Sequence, residues 1–246
     1  STCLGLRTPL QAALEVLRER HERAAALCRK VGTSCVGMRD AEELDWFCKG
    51  FTADDVATLG TLLHWTPKLK VLSLQQNSLG DADMQALCEG MGRGAAPLLR
   101  DLLIGTNQFG PAGAEALAAA LRGGAMPKLV VFNVCGNPIG NQGVAALGAP
   151  LRMLPALKVL DLFNCKIGDE GVASLVADLG KDDFKALESL WLGYNKITDA
   201  GAAKLVAAID AGGLPKLVDH HYFITNNAAT AAAVKAVLDA LAKRSQ

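Results

Sequence analysis

Between residues 69 and 79 the apolar positions fall at Leu69, Leu72, Leu74 and Leu79, with Asn77 the fixed polar member of the frame. The same frame returns as Leu99, Leu102, Ile104, Asn107 and Phe109, and as Leu129, Phe132, Val134, Asn137 and Ile139. It returns again as Leu157, Leu160, Leu162, Cys165 and Ile167, and as Leu187, Leu190, Leu192, Asn195 and Ile197. Degenerate copies flank these: Ala41, Leu44, Trp46, Lys49 and Phe51 before them, and Leu217, His220, Tyr222 and Thr225 after. Repeat starts therefore stand at 41, 69, 99, 129, 157, 187 and 217, a period of 28 or 30 residues. Alternation across each apolar-x-apolar stretch predicts a short strand with its bulky residues turned inward. A further apolar residue lies 18 positions after six of the starts, at Leu59, Leu87, Leu117, Leu147, Leu175 and Leu205, which predicts the buried side of a helix in each copy. Asp81, Asn141, Asp169 and Asp199 stand where an N-cap acceptor is wanted, Thr52 with Asp55 forms a variant of that device, and Pro111 suits a first helical turn.

The L-x-x-L-x-L-x-x-N-x-L frame resembles the leucine-rich repeat, and its long second half resembles the ribonuclease-inhibitor-like class of that family. The resemblance implies an α/β solenoid: a right-handed arc with a parallel sheet on the concave face and helices on the convex face. Cys165 replaces the signature asparagine in one copy, and the end copies lose it, as terminal capping repeats do.

Residues 1–40 follow another pattern. TPLQAALEVLRERHERAAALCRKVG predicts one helix capped by Thr8 with Pro9 at its first position, and Leu10, Leu14, Leu17, His21, Ala24, Cys28 and Val31 alternate by four and three. This segment is expected to cover the open end of the array, or to serve as a docking helix with a coiled-coil-like seam, which His21 and Ala24 weaken. GTSCVGMRD is expected to link it to a repeat domain of residues 41–246.

Composition narrows the chemistry. The 246 residues carry 25 basic and 25 acidic side chains, so no bulk charge draws the chain to nucleic acid or anionic membrane. No apolar run approaches the ~18 residues of a membrane span. Seven scattered cysteines without a CxxC pair argue against a disulfide framework and a zinc site, and read as small buried hydrophobes of a reducing, cytoplasmic-type compartment. Ser1 is also compatible with an organellar protein whose targeting peptide has been removed. GMGRG at 90–94 lacks a preceding strand and reads as a helix-terminating turn; no HExxH or GxSxG is present, and His220 and His221 would point to opposite faces of a strand. No cofactor, metal or catalytic role is expected.

The outward strand positions form three rows. The first is Glu43, Val71, Asp101, Val131, Val159, Ser189, Asp219; the second is Asp45, Ser73, Leu103, Asn133, Asp161, Trp191, His221; the third is Phe47, Gln75, Gly105, Cys135, Phe163, Gly193, Phe223. Five carboxylates and no Lys or Arg occupy them, which disfavours nucleic acid on this face and favours a protein partner with apolar and basic residues. Phe163, Trp191 and Phe223 come from successive strands, with Tyr194 at the rim and His221 beside the tryptophan. The expected partner-binding set is Trp191, Phe163, Phe223, Tyr194, His221, Asp161, Asp219, Leu103 and Asp101. A permanent subunit of a larger assembly, using also the N-terminal helix, is the alternative. Ran GTPase-activating proteins share the repeat class, and that resemblance, of fold alone, implies as a third option a regulator acting on a GTPase.

Overall fold

The computed structural model describes residues 4–180, 182–218 and 223–244, with side chains from residue 10 to residue 243. Six three-residue strands carry the repeats: β1 Glu43–Asp45, β2 Val71–Ser73, β3 Asp101–Leu103, β4 Val131–Asn133, β5 Val159–Asp161 and β6 Ser189–Trp191. They pair in parallel and in chain order, so each repeat lies on the one before. The registers align Glu43 with Val71, Asp101, Val131, Val159 and Ser189, and Asp45 with Ser73, Leu103, Asn133, Asp161 and Trp191. These are the first six members of each of the first two rows anticipated from the pattern; the seventh members, Asp219 and His221, lie outside the described residues. The ladder runs on past the strands: Leu162 N donates to Trp191 O at 2.9 Å and Asn164 N to Gly193 O at 2.9 Å.

Helices α1 Leu4–Lys30 and α2 Cys35–Asp40 precede the array. One helix per repeat follows: α3 Ala53–Leu62, α4 Asp81–Gly90, α5 Pro111–Arg122, α6 Gly140–Arg152, α7 Asp169–Val176, α8 Asp199–Asp210 and α9 Ala231–Arg244. The core lies between sheet and helices. Leu72, Leu102, Phe132, Leu160 and Leu190 from the strands meet Leu59, Leu87, Leu117, Leu147, Leu175 and Leu205 from the helices, all fully buried.

The asparagine frame works as a ladder between repeats. Asn107 Nδ2 donates to Leu74 O and Ile104 O, while its Oδ1 accepts from Asn77 N at 2.9 Å and Leu79 N at 3.0 Å. Asn195 repeats this with Leu162 O, Leu192 O, Cys165 N and Ile167 N. Cys165 can only donate weakly, to Val134 O at 3.4 Å. The loop before it adjusts: Ile139 N turns to Asn137 O, and Gly140, at φ +60°, donates to Cys165 O.

Four expectations need correction. First, α1 begins at Leu4, so Pro9 lies inside the helix and Thr8 is not its cap; a proline this close to a helix start removes a single backbone bond. Second, the linker carries α2, capped by Ser34 Oγ accepting from Gly37 N at 2.9 Å. Third, Asp81, Asn141, Asp169 and Asp199 at the helix starts are not the caps of their own helices, whose N-caps are Gly80, Ile139, Gly168 and Thr198. They reach forward to the next repeat. Asp81 Oδ1 accepts from Gly110 N and Gly113 N at 2.7 Å, Asp169 from Thr198 N and Gly201 N, Asp199 from Thr230 N, and Asn141 Oδ1 from Gly168 N. Fourth, the end copy keeps its asparagine: Asn227 Nδ2 donates to Leu192 O and Ile224 O, and its Oδ1 accepts from Ile197 N. Thr225 is not the equivalent position, because two extra residues fall between Val218 and Phe223. Val218 N still donates to Glu188 O, a 30-residue step, whereas Leu192 N donates to Phe223 O, matching Leu162 N to Trp191 O at a 32-residue step.

Candidate functional site on the open sheet face

Every repeat has left-handed backbone at one shared position of the loop after its strand. Cys48, Gln76, Thr106, Gly136, Asn164, Tyr194 and Asn226 occupy this place, at φ between +52° and +68°. Glycine and asparagine suit it; a tyrosine does not, because a Cβ there crowds the neighbouring carbonyl at a cost of ~1 kcal/mol. The turn aims Tyr194 back over the preceding repeat. Its ring meets Phe163 at 4.9 Å between centroids, tilted by 45°, and remains 52% exposed. Phe163 and Trp191 are half-buried, and Trp191 stands directly opposite Asp161 across the β5–β6 pair. Gly193 lies buried between Trp191 and Tyr194.

Asp161 is not the exposed acid expected of it. It is 3% exposed. Its Oδ2 accepts from Asn133 Nδ2 at 2.7 Å and its Oδ1 from Phe163 N at 3.0 Å. Burial pushes its pKa up to about 6, against the pull of the Phe163 N–H and the Cys135 thiol. The same side-chain-to-backbone turn closes β4, where Asn133 Oδ1 accepts from Cys135 N at 3.0 Å. Asp161 thus fixes the loop that carries Phe163. Burial likewise raises the pKa of Asp101, which is half-buried beside Leu103 on the same strand. Fully exposed acids on the described face are Glu43 and Asp45, at the first strand. The negative character expected of the whole face is therefore concentrated at its N-terminal end.

Phe223 also departs from expectation. The two-residue shift puts it in line with Trp191 instead of Phe163, and it is 1% exposed, enclosed with Ile224 in the core cluster. It presents no surface to a partner. Asp219 and His221 lie outside the described residues. The structure therefore brings together Phe163, Tyr194, Trp191 and the supporting Asp161, with Leu103 and Asp101 two strands away from β5. Tyr194's conformation was the missed feature, although its signal was present in the sequence: the residue seven after each start is Cys, Gln, Thr, Gly or Asn in five other copies.

Cysteines depart in part from the buried reading. Cys28, Cys88 and Cys165 are buried, Cys135 is half-buried, and Cys35 and Cys48 are exposed, all as free thiols. Cys28 Sγ lies 3.5 Å from Cys35 Sγ. Among the described residues no helix is long and apolar enough to cross a membrane.

The family model described as Leucine Rich repeat matches residues 67–88, 155–176 and 186–206. A solved structure, described as the crystal structure of a TLR13–ssRNA13 complex, aligns at a TM-score of 0.35 and 17% identity, over 80% of this chain and 30% of that one. At that level the likeness carries nothing about ligands. The three matched segments begin within two residues of the repeat starts at 69, 157 and 187, and each spans one strand and its helix. With six such strands stacked in register and the family match falling on three of the repeats, the chain is built as a solenoid of leucine-rich repeats.

Proposed function

We propose that this protein is a non-catalytic interaction module that takes a protein or peptide partner on the open face of its sheet, centred on Tyr194, Phe163 and Trp191. The observation that carries the reading is Tyr194: a bulky aromatic held in left-handed backbone, half exposed, against a second ring. Buried Phe184 shares the left-handed backbone, at φ +46°, so it is the exposure of Tyr194 that singles it out: an exposed aromatic resting on a half-buried one has the composition of a binding hot spot. The repeat needs neither ring, since other copies fill the equivalent positions with Thr106 and Gly105, or Gly136 and Cys135. The partner supplies apolar groups for the aromatic cluster and basic groups toward Asp101, Glu43 and Asp45. Leu103 extends the apolar contact, and Asp219 and His221 belong to the same reading. The 28–30-residue period with a full helix per repeat supports the ribonuclease-inhibitor-like class. Exposed free thiols at Cys35 and Cys48 support a reducing compartment.

Affinity capture with the wild-type chain, Tyr194→Asn and Phe163→Ala tests the site. Truncating a hot-spot anchor costs ~2 kcal/mol of binding or more, so the variants are expected to lose the captured partner while remaining folded. A partner held equally by all three would sink this placement. A second reading, a permanent assembly subunit, is favoured by the exposed apolar side of α1. Native size determination separates the two, since a permanent subunit does not run as free 25.7 kDa protein.

A further inference from the structure

Helix α1 does two different things along its length. Its last turns sit on the array: Ala24, Leu27 and Cys28 are buried, and Lys30 pairs with Asp55 at 2.6 Å. From Leu10 to Arg23 every side chain is exposed, a length of about 20 Å at helical rise. On that exposed stretch Leu10, Leu14 and Leu17 are spaced by four and three, so they form one stripe, at 63%, 47% and 60% exposure. His21 continues the stripe to the body of the protein. There it opens into a cleft of about 340 Å³ bordered by Ala24, Met38, Leu62 and Trp65. Trp65 is 71% exposed. An apolar stripe on the free part of α1 thus leads, by way of His21, to a tryptophan at its foot.

Charge around the track is sorted. In heptad terms the stripe occupies the two seam positions, and the flanking positions hold Gln11, Ala13, Arg18 and Arg20. Glu15, Glu19 and Glu22 lie farther from the seam, around the opposite side, together with Arg23. Neither Arg18 nor Arg20 is ion-paired among the described residues, and Arg39 lines the same cleft as Arg20. A second copy of this chain is a poor occupant: the flanking positions Gln11, Ala13, Arg18 and Arg20 hold no acid, so neither parallel nor antiparallel pairing sets an acid against a base there. We propose that the exposed half of α1, with the Trp65 cleft, is a docking surface for an amphipathic helix of another protein whose apolar seam is flanked by acidic residues. Leu10, Leu14 and Leu17 take the partner's apolar seam, Arg18 and Arg20 its carboxylates, and the cleft its bulkiest end. The surface is independent of the sheet-face site, since α1 packs on α2 and α3 at the opposite end of the array from β6.

The probes are two synthetic helical peptides with leucine at both seam positions, one flanked by glutamate and one by lysine. Titrated into the full chain, the glutamate peptide is expected to bind about ten-fold more tightly, with affinity falling as salt rises. Arg18→Glu with Arg20→Glu should reverse the order. Leu14→Asp should abolish binding of both peptides without shifting the unfolding midpoint, because Leu14 makes no core contact, and Tyr194→Asn should leave peptide binding unchanged. Equal affinity for both peptides, or binding of neither, overturns the proposal. So does concentration-dependent dimerisation of the peptide-free chain that Leu14→Asp removes, which would make a second copy the occupant.

Discussion

Tyr194 is where one residue answers to two demands. Its left-handed backbone costs ~1 kcal/mol that asparagine would not incur, and its ring contact with Phe163 returns ~0.5–1.5 kcal/mol. Tyr194→Asn should therefore leave stability within about 1 kcal/mol of wild type in urea unfolding, whereas Leu192→Ala, in the same loop but fully buried, should lose ~2–5 kcal/mol. A large loss for Tyr194→Asn would mean that the ring is part of the core. Asp161 makes the other residue-scale case. Its folded pKa of about 6 stands above the ordinary value of an aspartate carboxyl, near 4, so between roughly pH 4 and pH 6 the folded protein holds a proton that the unfolded chain has released. Its contribution to stability is thus most favourable below pH 4, declines through this window, and is fully unfavourable above pH 6, by at most ~3 kcal/mol. Asp161→Asn should remove that downward slope. The observable is the difference between the two pH profiles, which is insensitive to any constant loss from the altered hydrogen bonds. Parallel profiles would show that the carboxyl ionises without penalty.

At the scale of elements, the repeats are joined through polar side chains as much as through the core. Asn77, Asn107, Asn195 and Asn227 tie backbone donors of one repeat to carbonyls of two, Asn137 binds carbonyls through its Nδ2 alone, and the forward-reaching side chains at the helix starts tie one helix to the next. Asp169 accepts from Thr198 N, Thr198 Oγ1 and Gly201 N, and these bonds hold its carboxyl below the usual range although desolvation pushes the other way. Gly201 lets the carboxylate approach this closely, because a Cβ at that position would push on Asp169 Oδ1 and the Ile197 side chain. The consequence is directional. Asp169→Ala should cost ~1 kcal/mol, the value of an N-cap, and the amides that gain exchange should be those of the first turn of α8, with α7 little affected. Hydrogen exchange resolved to single amides distinguishes this from a simple helix-dipole effect, which would loosen α7, the helix on which Asp169 itself stands.

For the molecule as a whole, the periodic apolar frame made the sheet order, its register and the two-layer core legible, because a parallel solenoid leaves little choice once the period is known. It did not reveal the two extra residues before Phe223, since substitution had erased the leucines that mark the register there. Nor did it reveal that Asp161 is buried, because burial on an outward row depends on what the neighbouring strands hold, here Asn133 and Trp191. It also left open whether α1 covers the end of the array or docks a partner, whereas the structure confines the covering role to the last turns. Stability of a stacked array resides in each repeat and its interfaces, so only the part of α1 that touches α3 should matter. Deleting residues 1–22 should leave the urea midpoint close to that of the full chain. Deleting residues 1–33 removes Leu27, Cys28 and the Lys30 pair with Asp55, and uncovers the Val56 and Leu59 side of the first repeat. That loss should reach ~3 kcal/mol or more on the usual apolar-area scale. If the shorter deletion already lowered the midpoint as far as the longer one, the exposed half of α1 would be packed on the array in solution, and the track from Leu10 to Trp65 would not be open to a partner.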